Sequence, residues 1–396
     1  MTTRIPYSTQ SITEDDIAAV VATLRSDFLT QGPAVPAFEA AIAELHALPH
    51  AVAMSNATAA LHLSCLALGL GPGDRLWTSP ISFVASANCA RYCGATVDFV
   101  DIDPVTRNLS VAALAARLAA AELAGSLPKI VVPVDFGGLP ADLAEMRTLA
   151  DRYGFAMLED ASHAVGAEYR QTPVGAYADI TILSFHPVKI ITTGEGGIAL
   201  TANADLAERL RLLRSHGITR DGAQMTGASE GGWYYEQIAL GYNYRLTDIQ
   251  AALGSSQLQR IEEMWAARDE RARRYDRDLA DLPLLRPARL DDRRSAHHLY
   301  PVEIDPARSP VTRRALYDAL QAAGIGTNVH YIPIHLQPDY RRLGFAPGMF
   351  PAAEAYYARA LSLPLYPALS GAEQDRVVNV LGDALAGSSP VTPAPA

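Results

Sequence analysis

Short apolar runs alternate along the first half of the chain with stretches in which apolar residues recur every three or four positions. The two periods predict strands and helices in turn. Strands are expected at 51–54, 75–78, 97–102, 130–134, 155–158, 180–185 and 198–201, with helices at 57–68, 83–92, 111–123 and 143–153. That order implies an α/β fold, a mostly parallel central sheet flanked by helices on both faces. Ligands of such sheets gather outside the carboxyl ends of the strands. The segment 221–236, rich in glycine and small polar residues, reads as a mobile loop. After it, apolar positions at Ile249, Leu253, Leu258, Ile261 and Trp265 predict one long helix over 247–275. It would lead into a smaller C-terminal α/β domain with strands at 299–304 and 327–332 around a helix at 311–323. The expected division is a large domain over 1–255, a small one over 256–386, and a disordered tail of proline, serine and alanine over 387–396.

Composition narrows the function classes. At 49% apolar the chain can bury a large core, and a formal charge of −10 argues against a nucleic-acid binder, so any anionic substrate must be held by local groups. Cys65, Cys89 and Cys93 fall within helical patterns and read as buried thiols. The start of the chain shows no apolar leader and no stretch is long enough to span a bilayer, so a cytoplasmic protein is expected.

Two of the 33 basic residues are lysines, Lys129 and Lys189. Where arginine serves almost every other cationic role, a retained lysine points to chemistry that needs a primary amine able to form an imine. Lys129 opens an apolar run, where an exposed ammonium needs no function. Lys189 follows the run 180–185 and precedes the Thr193-Gly194-Glu195-Gly196-Gly197 stretch, but lacks the glycines ahead of it and the Ser or Thr after it that a phosphate-binding P-loop requires. Two other strand ends carry chemistry. Ser55-Asn56-Ala57-Thr58 opens a helix, either as a plain N-cap or as an anion site at the helix N-terminus. Glu159-Asp160 closes an apolar strand, either as solvated ends or as a carboxylate partner for a protonated pyridine nitrogen. His330 and His335 stand at an odd offset on an extended run interrupted by Pro333, so no metal site is expected.

A phosphate cradle, a carboxylate and a lysine, each at a strand tip, form a more specific pattern than any one of them. With Asn56-Ala57-Thr58-Ala59-Ala60-Leu61, Pro80-Ile81-Ser82-Phe83-Val84-Ala85, Glu159-Asp160-Ala161-Ser162-His163-Ala164, Ser184-Phe185-His186-Pro187-Val188-Lys189 and Gly241-Tyr242-Asn243-Tyr244-Arg245-Leu246, the chain resembles the DegT/DnrJ/EryC1/StrS family of nucleotide-sugar aminotransferases, which use pyridoxal 5'-phosphate on the fold type I scaffold. The likeness runs from Tyr7 to about Val377. It implies Lys189 as the Schiff-base lysine, Asp160 as partner of the pyridinium nitrogen, Phe83 stacked on the ring and His163 near the ring hydroxyl. It further implies phosphate contacts from Ala57, Thr58 and Ser184, and from Asn243 of a second subunit in a homodimer with shared active sites. Tyr7, the segment Asp27, Phe28, Leu29 and Thr30, and the segment Asn328, Val329, His330 and Tyr331 would meet the sugar nucleotide. Position 56 departs from the family, since Ser55-Asn56 stands where relatives often have Asn-Ser or Gly-Thr.

A narrower likeness, in His186 to Gly197 and Val329 to His335, is to the branch serving pseudaminic acid biosynthesis. It implies transfer of an amino group from L-glutamate to C4 of a UDP-linked 4-keto amino sugar, UDP-2-acetamido-2,6-dideoxy-β-L-arabino-hex-4-ulose. Three other readings stand beside it: a GDP- or dTDP-linked keto sugar as acceptor, a C3 dehydratase, against which Lys189 speaks because that branch has histidine there, and a non-catalytic regulatory relative that only binds the cofactor.

Overall fold

A computed structural model describes residues 4–386; the tail expected at 387–396 lies outside the described residues. The central sheet has seven strands in the order β1-β9-β8-β5-β4-β2-β3. These are β1 (His50–Met54), β2 (Arg75–Thr78), β3 (Thr96–Phe99), β4 (Ile130–Val132), β5 (Ala156–Asp160), β8 (Ile180–Ser184) and β9 (Gly197–Thr201). Only β9 runs against the others, pairing antiparallel with β1 and β8. Every residue of β4, β8 and β9 is buried, which is why they read as unbroken apolar runs rather than alternating ones.

Helices cover both faces. They are α1 (Glu14–Leu24), α2 (Ala34–Leu45), α3 (Ala57–Ala67), α4 (Ala85–Tyr92), α5 (Val111–Leu123), α6 (Leu143–Tyr153), α7 (Ala204–Arg214) and α8 (Asp248–Leu258). One face packs α3, α4 and α7 around residues such as Leu61, Phe99 and Leu210; the other packs α2 and α8 around Phe38, Ile42 and Phe185. Short ladders lie outside: β6 (Glu168–Tyr169) between β7 (Thr172–Pro173) and β13 (Arg293–Arg294), and β10 (Ile218–Thr219) against β11 (Glu236–Gln237).

The C-terminal region builds its own sheet from β12 (Leu284–Leu285), β14 (Tyr300–Ile304) and β15 (Ala360–Leu363), packed with α9 (Ile261–Asp278), α10 (Arg313–Ala322) and α13 (Gly371–Leu385). Ile5, from the other end of the chain, is buried in this core and bridges to Ile325, so Tyr7 is held beside the C-terminal region. The short α11 (Pro338–Arg341) and α12 (Pro351–Arg359) instead pack toward the core of α3 and α4. No described helix is long and apolar enough to cross a membrane.

Two expectations need correction. The single helix over 247–275 is two, α8 and α9, broken at Arg260, whose φ −115° and ψ 17° leave the helical region. The apolar period continues across the break, but a polar cluster sets the local geometry. The buried Asp16 carboxylate takes Ser256 Oγ, Gln257 Nε2 and Arg260 Nη2, each at 2.7 Å. The strand expected at 327–332 is irregular, joined to the sheet only by the bridge Asn328 to Ser362; the Asn328 side chain takes the Val329 N–H at 2.8 Å, a local bond that competes with ladder pairing. Segment 221–236 holds no helix and closes on Glu236, whose carboxylate takes Thr226 N–H at 2.7 Å and Gly227 N–H at 3.0 Å.

Candidate active site

The parallel strands β5 and β8 deliver Asp160 and Ser184 to the same end of the sheet, and the turn after β8 brings Lys189 back over it. The tip of β1 leads there into α3. Asn56 caps that helix, its Oδ1 accepting the Ala59 N–H at 2.8 Å. First-turn N–H groups have no acceptor within a helix, and two of their owners, Ala57 and Thr58, face a cavity of about 1170 Å³ at this end of the sheet. The approach is possible only because β9 begins with glycine: a Cβ on Gly197 would sit 2.4 Å from the Ala57 backbone nitrogen.

Phe83, Asp160, His163, Ser184 and Lys189 line the same cavity, as do Tyr7, Asn328, Val329, His330 and Tyr331. Two expected groups do not. Asn243 is exposed, its backbone bridging Ser215, and residues 27–30 are exposed, with Thr30 bridging Thr247. Within one chain the geometry therefore gathers every expected site residue except Asn243 and Asp27, Phe28, Leu29 and Thr30.

Lys189 is open to the cavity along part of its side chain, yet protein packs closely around it. Burial lowers its amine to about 8, opposed in part by the Asp160 charge. Asp160 is held on two sides, Ser86 Oγ donating to Oδ2 at 2.6 Å and the Ser162 N–H to Oδ1 at 3.2 Å. Ser82 and Ser86 are themselves joined at 2.7 Å. Phe83 is 59% exposed, so this aromatic is no core residue: its ring is offered to the cavity.

His163 is buried, and burial together with the nearby Lys189 keeps it neutral, far below the usual histidine range. The Gly137 N–H donates to its Nδ1 at 3.2 Å, so the proton belongs on Nε2, which faces the Tyr331 hydroxyl at 3.1 Å. His330 Nδ1 lies 2.8 Å from Ser362 Oγ and Nε2 lies 3.3 Å from Asn328 Nδ2, with burial lowering this imidazole to about 4. His335 instead meets Glu354 at 2.9 Å, and no described group of side chains has a metal-binding arrangement.

Sequence reasoning passed over His298 and Ser86. His298 packs against His163 with ring centroids 4.4 Å apart and planes tilted by 48°, and lines the cavity. It arrives on the segment before β14, held through its carbonyl by the buried Arg268, and nothing near it in sequence marks it. Ser86, inside the expected helix, had no signal of its own, since its partner Ser82 stands in the bend before α4.

A parallel sheet with a buried lysine, a hydrogen-bonded carboxylate and a helix N-terminus converging on one cavity defines the class of pyridoxal-phosphate-dependent transferases. The chain belongs to the DegT/DnrJ/EryC1/StrS aminotransferase family, whose model matches residues 10–382. It is 40% identical over 387 residues to the spore coat polysaccharide biosynthesis protein SpsC of Bacillus subtilis, an alignment covering 97% of this chain and 98% of SpsC. Among solved structures it is similar to Helicobacter pylori PseC, an aminotransferase involved in the biosynthesis of pseudoaminic acid (TM-score 0.89, 31% identity, 97% of this chain and 100% of that one). It is also similar to S. venezuelae DesV in complex with a ketimine intermediate (TM-score 0.85, 30% identity, 99% and 100%). The protein is accordingly a sugar aminotransferase with pyridoxal 5'-phosphate as cofactor, and the site fits that group: an amine of lowered basicity, a carboxylate, an open aromatic face and free helix N–H groups stand around one cavity.

Proposed function

We propose that the enzyme transfers an amino group from L-glutamate to C4 of UDP-2-acetamido-2,6-dideoxy-β-L-arabino-hex-4-ulose, acting in the cytoplasm as a homodimer. The observation that carries the catalytic part is the pairing of Lys189 and Asp160 across one cavity. When bound, pyridoxal phosphate supplies an electron sink for the bond broken at the donor's α-carbon. The chain's own groups do the rest. Lys189 anchors the cofactor and, once released, its Nζ carries the proton that leaves the α-carbon. An amine at about 8 is roughly 10% unprotonated at neutral pH, whereas an ordinary lysine is so at well under a tenth of one per cent. Asp160, oriented by Ser86 and the Ser162 N–H, holds a proton on the pyridine nitrogen. His163 offers an Nε2–H whose tautomer the Gly137 N–H sets. Ala57, Thr58 and Ser184 bind the phosphate, and Phe83 supports the ring.

For the acceptor, the likeness to PseC supports the pseudaminic acid branch, and Tyr7, Asn328, Val329, His330 and Tyr331 would meet the sugar in the cavity. The higher identity to SpsC favours a second reading, a nucleotide-linked keto sugar destined for a polysaccharide. A panel of 4-keto UDP-, dTDP- and GDP-hexoses with glutamate separates the two. The UDP-2-acetamido sugar is expected to have the highest kcat/KM, because a site built to pair a polar substituent rejects an analogue lacking it. A higher kcat/KM for a 2-hydroxy or GDP-linked sugar overturns this acceptor. Sharing of sites is supported by the cavity itself: no described arginine lines it, although 31 of the 33 basic residues are arginine. Asn243, and with it the exposed 27–30 segment, are available to a neighbouring subunit.

A further inference from the structure

Behind Asp160 lie two carboxyl groups that the mechanism above does not use. Asp135 follows the tip of β4 and Glu159 precedes Asp160 on β5, and both are wholly buried. Each has one oxygen satisfied: Asp135 Oδ1 accepts the Ala141 N–H at 2.8 Å, and Glu159 Oε2 accepts the Thr181 hydroxyl at 2.7 Å. The other oxygen of each, Asp135 Oδ2 and Glu159 Oε1, has no donor; the parallel bridge of Val134 to Asp160, with strand alternation, sets both carboxyls side by side on the face of the sheet turned away from the Asp160 side chain. Neither forms an ion pair among the described residues.

We infer that Asp135 and Glu159 share one proton and serve as positioning residues for Asp160, holding a single net negative charge behind the strand tip that carries it. Two ionised carboxylates would set unpartnered oxygens against each other away from water, at a large cost. One proton between them satisfies both. Burial raises both groups; the Glu159 charge raises Asp135 further, whereas a hydrogen bond from Asp135 opposes the rise at Glu159, and the Asp160 charge raises both. The groups facing the pair from its surroundings are the Thr181 hydroxyl on β8, the N–H groups of Ala141 and Gly175, and Asp160 itself. The pair is tied to Asp160 through the backbone, since the Asp135 N–H donates to the Asp160 carbonyl at 3.1 Å and the Asp160 N–H to the Pro133 carbonyl at 2.8 Å. Alternation along β5 turns Glu159 away from the face that presents Asp160 to the cavity. The proton sharing stands on this geometry alone; its consequence for the cofactor rests on the role proposed for Asp160.

The test begins with the cofactor-free enzyme in deuterated buffer at mildly alkaline pH, where exposed acids are ionised, and reads the infrared carbonyl stretch of protonated carboxyl groups. Wild type should show such a band, and Asp135→Asn and Glu159→Gln should each lose it, because the new amide supplies the donor and the remaining carboxyl ionises. Absence of the band in wild type, or its survival in either variant, overturns the shared proton. In the loaded enzyme the single variants keep the net charge, so the pH titration of the cofactor's absorption should match wild type. The double variant lacks the charge, and its apparent pKa should fall by about one unit. An unchanged double variant, or a single variant that shifts as far, overturns the positioning role. Asp160→Asn is the separate control: if it leaves that titration unchanged, the role of Asp160 fails and the infrared result stands apart from it.

Discussion

The most legible residue in the chain is Lys189, one of two lysines, and the structure separates the pair. Lys129 is partly exposed and bonded to Asp74 at 2.8 Å, whereas Lys189 reaches the cavity with its basicity lowered to about 8. Lys189→Ala should fold and lose turnover by several orders of magnitude. Borohydride reduction of the loaded enzyme followed by peptide mapping should label Lys189, and label on Lys129 would overturn the assignment. The lowered value also has a sign for stability. Between about 8 and the ordinary lysine value of about 10.4 the unfolded chain binds the proton and the folded one does not, so this group adds stability as pH rises through that window and costs stability below it. The cost below pH 8 is at most about 3 kcal/mol, and the side chain's opening to the cavity reduces it. Cofactor-free Lys189→Met should therefore melt above cofactor-free wild type at pH 7, the gap closing toward pH 10. A gap that stays constant with pH would show that the amine is not destabilised by burial. Two acids closing an apolar strand left solvated ends or a buried carboxylate open for Asp160, and the structure places it in the cavity, held by Ser86. His298 was not readable, because its partner His163 lies 135 positions away and only the packing of the C-terminal region brings the rings together.

At the scale of elements, apolar period recovered what burial controls and lost what polar contacts control. The central strands and α3, α5 and α6 lie close to their expected positions because their apolar residues face a core. The break between α8 and α9 escaped because Asp16, 240 to 244 positions away, collects donors from 256, 257 and 260. Glycine makes the same point, since its role depends on what lies opposite. Gly197 has no unusual backbone angle; what it lacks is room, with Ala57 N and Asn56 C at 2.4 and 2.5 Å from any added Cβ. Gly194 is the reverse case, with φ +79° and nothing within 4 Å. Gly194→Ala should cost about 1 kcal/mol, from backbone conformation. Gly197→Ala should cost about 3 kcal/mol or more and also weaken cofactor binding, since the atoms displaced belong to the first turn of α3. Denaturant unfolding of the cofactor-free proteins, with cofactor titration, checks both. Equal costs with unchanged cofactor affinity would mean that the α3 N-terminus does not hold the phosphate.

At the scale of the whole molecule, the proposed function asks a chain with formal charge −10 to bind a phosphate, the two carboxylates of glutamate and the pyrophosphate of a nucleotide sugar. Its cavity supplies the neutral His163, His298 and His330, hydroxyls, helix N–H groups and one lysine, but no described arginine. Long-range attraction cannot make up the difference, because the net field of the protein repels anions. The missing donors have to come from local groups, and Asn243 is exposed outside the cavity of its own chain. If a second copy completes the site, each cavity draws Lys189 from one chain and Asn243 from the other. Mixed dimers of Lys189→Ala with Asn243→Ala chains would then contain one cavity with both defects and one with neither. After verified subunit exchange, activity should return from near zero to about one quarter of that of an equal amount of wild type, since random pairing makes half the dimers mixed and each holds a single intact site. No recovery would place Lys189 and Asn243 in the same cavity, or show that Asn243 is not needed there; a fully active monomer would remove the shared site altogether.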